Sequence, residues 1–168
     1  MLYFAYGSNM ARKRLEARII SARVVTVARL NHHRLAFHKR GRDGTGKCDI
    51  VATGRSTDEV YGVVYHIQRQ GKTILDGYEG LGCGYEEKHC SVSCLHGVRY
   101  KVFTYYATDI DISLKPFDWY KSHVICGALE HDLPPHYLKQ LQKIECIYDD
   151  DHARRSRELG IHSVNPEN

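Results

Sequence analysis

The sequence predicts a single α+β domain in which a curved, barrel-like mixed β-sheet is flanked by helices. Three observations lead there. Runs of β-branched and aromatic residues crowd the segment from Leu2 to Ala107, and helical spacing takes over after Pro116. The early strands do not alternate regularly with helices, which argues against a doubly wound parallel sheet. No repeat, low-complexity stretch or long linker divides the 168 residues, so one core must serve them all. The domain is expected over residues 1–148, followed by a charged, partly helical tail over 149–168.

Leu2 to Ala5 reads as a short strand that stops at Gly7-Ser8-Asn9, residues favoured in turns. Asn9 is placed to cap a helix from Met10 to about Arg18. Val24 to Leu30 and Arg34 to Lys39 read as strands, followed by a glycine-rich loop at Gly41 to Gly46. Val60 to Ile67 is a β-branched and aromatic strand. Thr73 to Glu79 forms a short helix closed by Gly80. Lys88 to Cys94 and Arg99 to Ala107 make a hairpin around His96-Gly97. Pro116 opens a helix through Leu129, with Tyr120, Val124 and Ala128 on one face, and Pro134-Pro135 opens another. The count is about six strands and four helices.

Composition narrows the class. Hydrophobic residues make 42% and charged residues 26%, as in ordinary globular domains. No apolar run approaches the roughly 20 residues that span a bilayer, so no membrane association is expected. The N-terminus lacks the basic-then-apolar pattern of a secretory leader, and a core of this size needs no disulfides, so the six cysteines are expected reduced in a cytoplasmic protein. The net charge of +4 is mild. Its two clusters, Arg12-Lys13-Arg14 with Arg18 and Arg154-Arg155 with Arg157, read as solvated helix faces, and no nucleic-acid partner is expected.

Several motifs tempt and fail. Gly41 to Lys47 nearly spells a phosphate-binding loop, but Cys48 stands where a hydroxyl should bind Mg²⁺, and Asp49 to Thr53 looks extended where a helix is required. A mobile surface loop is the simpler reading. His89, Cys90, Cys94 and His96 are soft ligands without the paired spacing of a zinc site. Ser8 lacks a nucleophile elbow. Neither a metal nor a cofactor is expected.

Two segments resist a packing explanation. Tyr6-Gly7-Ser8-Asn9 lies directly between a strand and a helix, where unpaired amides favour a carboxylate. Glu79 ends a short apolar helix beside a glycine-rich loop. There, facing tyrosines rather than cations, it would have a raised pKa suited to proton transfer.

Together these segments resemble the γ-glutamylcyclotransferase family, whose marks are a YGSN-type loop near the N-terminus and a later D-x-x-E-G segment, here residues 6–9 and 76–80. The similarity continues through Val60-Tyr61-Gly62-Val63-Val64-Tyr65, Thr104-Tyr105, Tyr120-Lys121 and Gly127-Ala128-x-Glu130-x-x-Leu133-Pro134. It spans roughly residues 3 to 145, and Asp149 to Asn168 has no counterpart. The resemblance implies a small-molecule substrate bearing an L-γ-glutamyl group, whose α-amine attacks its own γ-carbonyl to give 5-oxoproline and a free amine. It implies Glu79 as proton shuttle, amides of residues 7–9 on the glutamyl end, and Tyr85, Tyr105 and Tyr120 as pocket walls. Cys83 and three glycines depart from the family's more varied loop and leave the released amine open. Glu86 and Glu87 are fallback acids at the start of a strand. The alternatives are a cyclotransferase for γ-glutamylamines such as isopeptides, and a non-catalytic ligand-binding or adaptor protein on the same scaffold. Oligomeric state is not legible.

Overall fold

The computed structural model describes residues 1–19 and 21–162. Five strands close into a barrel in the order β1 (Leu2–Ala5), β5 (Glu59–His66), β2 (Arg23–Asn31), β6 (Tyr85–Cys94) and β7 (Arg99–Ala107). The pairings are antiparallel except the closing seam, where Tyr3 of β1 lies parallel beside Phe103 of β7. Closure removes the exposed edges that an open sheet of this size would carry. A bulge between Val24 and Thr26 bends β2 so that it reaches both neighbours. Strands β3 (His33–Arg40) and β4 (Gly46–Ala52) form a separate two-stranded ribbon.

Strand β5 is buried along six consecutive residues, Val60 to Tyr65, because side chains on one face fill the barrel and those on the other meet the helical layer. That is why its sequence reads as an unbroken apolar run. Phe4, Val64, Leu75 and Ile67 are fully buried around it. Burial of such side chains contributes about 1.5–3 kcal/mol each.

Helix α3 (Asp118–Glu130) buries Trp119, Tyr120, His123, Val124, Gly127 and Ala128, the i, i+4 face its spacing predicts. A Cβ at Gly127 would lie 2.5 Å from the Ala11 nitrogen and 2.6 Å from the Met10 Cβ, so only glycine lets α3 seat against the turn after β1. α4 (Pro135–Gln142) follows Pro134 as expected.

Among the described residues there are seven strands and five α-helices. The strand missing from the sequence reading is β4, hidden behind the loop of residues 41–46. That loop, expected to be mobile, is held by hydrogen bonds: Gly41 N donates to Thr45 O, Gly46 N to Lys115 O, and Lys47 Nζ to Asp43 and Thr45. Helix α2 runs Arg69–Glu79, four residues longer at its start than expected. The tail forms α5 (His152–Gly160), anchored through Arg154 to Asp149 and Glu158 to Arg14, while 163–168 lie outside the described residues. Among the described residues no helix is long and apolar enough to cross a membrane.

Candidate active site

The chain leaves β1 through Tyr6 and Gly7 into a 3-10 turn, Ser8–Met10, and then the five-residue helix α1 (Arg12–Glu16). The expected single helix capped by Asn9 is therefore wrong. Asn9 sits inside the turn, and the first amide of α1, Arg12 N, is capped from α3 by Glu130 Oε2 at 2.9 Å. The Asn9 side chain is spent elsewhere: its Nδ2 donates to Glu79 Oε1 at 2.8 Å and to the Tyr3 hydroxyl at 3.1 Å. Gly7 is required by proximity, since a Cβ there would lie 2.9 Å from the Cβ of Cys48 on β4.

Glu79 is the last residue of α2, and Gly80 ends the helix in the left-handed conformation at φ +70°. This turn aims the carboxylate at residues 6–9 instead of letting the helix carry it on into solvent. Asp76, one turn earlier, anchors α2 to the barrel. Its Oδ1 accepts the Tyr105 hydroxyl at 2.6 Å, and both its oxygens accept from Lys72, whose ammonium also reaches Glu87 at 2.6 Å.

The eight residues expected at the site, Tyr6, Gly7, Ser8, Asn9, Glu79, Tyr85, Tyr105 and Tyr120, line one small cleft of about 30 Å³, together with Tyr3 and Cys48. The cleft opens into an outer cavity of about 540 Å³, which shares Ser8, Glu79, Tyr85 and Tyr120 with it. The fallback acids are elsewhere: Glu86 is exposed and Glu87 is bound to Lys72.

One premise of the sequence reading fails. Glu79 does not face tyrosines alone; Arg18 Nη1 lies 2.9 Å from its Oε1 and also donates to Asn9 Oδ1 at 2.8 Å. The pair is sheltered, with side chains 18% and 15% exposed. Arg18 was read as part of a solvated basic face, and Arg14 of the same cluster is likewise turned inward onto Glu158. Spacing alone gave no signal for either, because the partners are 61 and 144 residues away.

The tyrosines are walls held by backbone. Tyr85 donates to Cys48 O, Tyr6 donates to Tyr105 O at 2.8 Å, and the Tyr120 hydroxyl accepts from Cys48 N at 3.1 Å. Burial drives the pKa of Tyr3, Tyr6, Tyr85, Tyr105 and Tyr120 upward, so all remain neutral phenols. Burial likewise pushes the Cys48 thiol up to about 12, which removes it as a thiolate nucleophile. That leaves Glu79 as the one carboxylate among the lining side chains. Among the described residues no group of three or more His, Cys, Asp or Glu side chains could hold a metal ion.

The model of the AIG2-like family matches residues 59–141. The chain is 35% identical to the bovine (Bos taurus) γ-glutamylcyclotransferase over 148 residues, covering 86% of this chain and 78% of that one. It is 34% identical to the human (Homo sapiens) protein of that name over the same shares. A solved γ-glutamyl cyclotransferase superposes with a TM-score of 0.82 at 30% identity, over 89% of this chain and 90% of that one. With this identity over most of the chain and a shared fold, the chain belongs to the γ-glutamylcyclotransferase family.

Proposed function

We propose that the protein is a γ-glutamylcyclotransferase acting on L-γ-glutamyl compounds. The observation that carries this reading is the meeting of Glu79 with the turn of residues 6–9 in one cleft whose other lining side chains are held neutral. The α-amine of the bound glutamyl group attacks its own γ-carbonyl carbon, the new C–N bond closes the five-membered lactam, and the original amide C–N bond breaks. Glu79 takes the proton lost by the attacking nitrogen and gives it to the departing one, so protons balance with one carboxylate. Ring closure is intramolecular, and most of its rate comes from holding the folded conformer. The turn amides of residues 7–9 would receive the glutamyl carboxylate, while the neutral tyrosines wall the carbon chain.

Asn9 and Arg18 hold Glu79 Oε1 between them, which leaves the second carboxylate oxygen to meet the amine. The enzyme reading is favoured over the adaptor because a mere binding cleft has no use for a sheltered base gripped in this way. The six free cysteines agree with a cytoplasmic location.

The test is 5-oxoproline release from a panel of γ-glutamyl compounds by wild type and Glu79→Gln. The amide keeps the shape and loses proton transfer, so turnover should fall by about 10²–10⁴-fold with substrate binding retained. Normal turnover by the variant sinks the assignment.

A further inference from the structure

The outer cavity carries more positive charge than it neutralises. Seven cations line it, and five are committed to acids. Arg14 is bound to Glu158 at 2.7 Å, Arg18 to Glu79 at 2.9 Å, Lys47 to Asp43 at 2.7 Å, Arg40 to Asp111 at 2.9 Å and Arg154 to Asp149. Among the described residues, Lys39 and Arg42 have neither an ion pair nor a side-chain hydrogen bond. Asp109, the remaining acid on this rim, is exposed and leans on Arg40 at 3.7 Å.

Lys39 is the more telling of the two. The residue is only 8% exposed, and its ammonium lies 4.6 Å above the ring of Tyr85, a wall of the inner cleft. Burial lowers its pKa by more than the neighbouring carboxylates of Glu79, Asp109 and Asp43, none of them in contact with it, raise it. A cation–π contact returns less than burying an ammonium costs. Packing alone would be better served by a methionine. Arg42 stands near the end of α2: its Nη2 is 3.9 Å from the position a Cβ would take on Gly80, the residue after Glu79. Both cations line the outer cavity into which the cleft opens; the cyclotransferase reading puts the departing amine there, while the glutamyl end has the turn of residues 7–9.

Resting on the cyclotransferase reading, we infer that Lys39 and Arg42 read carboxylates on the departing amine, and that the enzyme prefers substrates releasing an acidic amino acid. A γ-linked glutamyl-glutamate offers two such carboxylates, one for each uncommitted cation. A leaving amine with a neutral side chain satisfies one of them, and an alkylamine satisfies neither. The cavity of about 540 Å³ has room for either amino acid, so charge rather than size does the selecting.

The experiment compares kcat/KM for γ-glutamyl-glutamate, γ-glutamyl-alanine and γ-glutamyl-ethylamide in wild type, Lys39→Met and Arg42→Ala. Wild type should favour the glutamate compound over the ethylamide by at least about tenfold, the worth of one charge-assisted contact. In each variant that ratio should fall toward one, through KM more than kcat. A lysine or arginine serving only to hold the wall would lower all three substrates together and leave the ratio unmoved. Arg42 is exposed, so its variant keeps the test sharp even should Lys39→Met fail to fold, which circular dichroism reports. A wild-type ratio near one, or a ratio untouched in both variants, overturns the proposal while 5-oxoproline release sustains the parent reading. Silence of wild type on all three compounds overturns the cyclotransferase reading itself, and this proposal with it.

Discussion

Replacing Asn9 by alanine should disarm Glu79 without touching the carboxylate. The Asn9 amide donates to Glu79 at 2.8 Å and to Tyr3 at 3.1 Å, and its oxygen accepts from Arg18 at 2.8 Å. The hydrogen bond to the charged carboxylate is worth about 1.5–3 kcal/mol. At 1.4 kcal/mol per tenfold, its loss corresponds to a fall in kcat of about 10- to 150-fold if the whole sum bears on the transition state. Arg18 alone then holds the carboxylate through one contact, and a shift of about 1 Å in a catalytic group is itself worth about 10²-fold. Stability should drop as well, by about 1–3 kcal/mol, since the buried Tyr3 hydroxyl and one Arg18 donor lose their partner. The assay is steady-state 5-oxoproline release alongside urea unfolding. The expected pattern is a fall in kcat of at least about tenfold with KM changed little, because on the proposed reading the side chain serves Glu79 while the turn's amides receive the substrate. A variant that folds and keeps kcat within about threefold of wild type would refute the claim that Asn9 positions the base.

Two further predictions concern the scaffold. Gly7→Ala puts a methyl group 2.9 Å from the Cys48 Cβ, and overpacking of this kind costs about 1–3 kcal/mol, read as a lowered urea midpoint, with activity lost as β4 is pushed from the turn. His123 is fully buried against Arg14, Glu158, His162 and Trp119, and burial brings its pKa down to about 4. In the unfolded chain the imidazole titrates near 6.5, so between there and 4 the unfolded state binds more protons and stability falls as pH is lowered. Unfolding midpoints at pH 7, 5.5 and 4.5 should decline in that order, and less steeply in His123→Gln.

The strands were legible where chemistry is local. Val60 to Ile67 declared itself by its β-branched and aromatic residues, and the His96-Gly97 hairpin by its turn residues. β4 was not counted as a strand, although Asp49 to Thr53 looked extended, because its seven residues, Gly46–Ala52, begin with glycine, lysine and cysteine and include a buried aspartate. Asp49 belongs there only because it accepts from His38 and from Ala107 N, partners no local pattern reveals. The start of α2 escaped because Arg69-Gln70-Gly71 carries neither a cap nor a clear apolar stripe. At the site, the turn and the acid were visible as motifs. The environment of the acid was not: Asn9 looked like a cap and Arg18 like surface charge, and both assignments were overridden by a partner about sixty to seventy residues away.

The seam between Tyr3 and Phe103 bears on when the enzyme becomes competent. The strand preceding the substrate turn is the one that shuts the barrel, and it must find residues about sixty and one hundred positions downstream to do so. Contacts so distant along the chain form slowly, after local helices and the β6–β7 hairpin can already exist. A nascent or refolding chain would thus display much of its helical signal before it possesses any cleft. Recovery of turnover should lag recovery of ellipticity, which makes catalysis a timer for the last closure of the barrel.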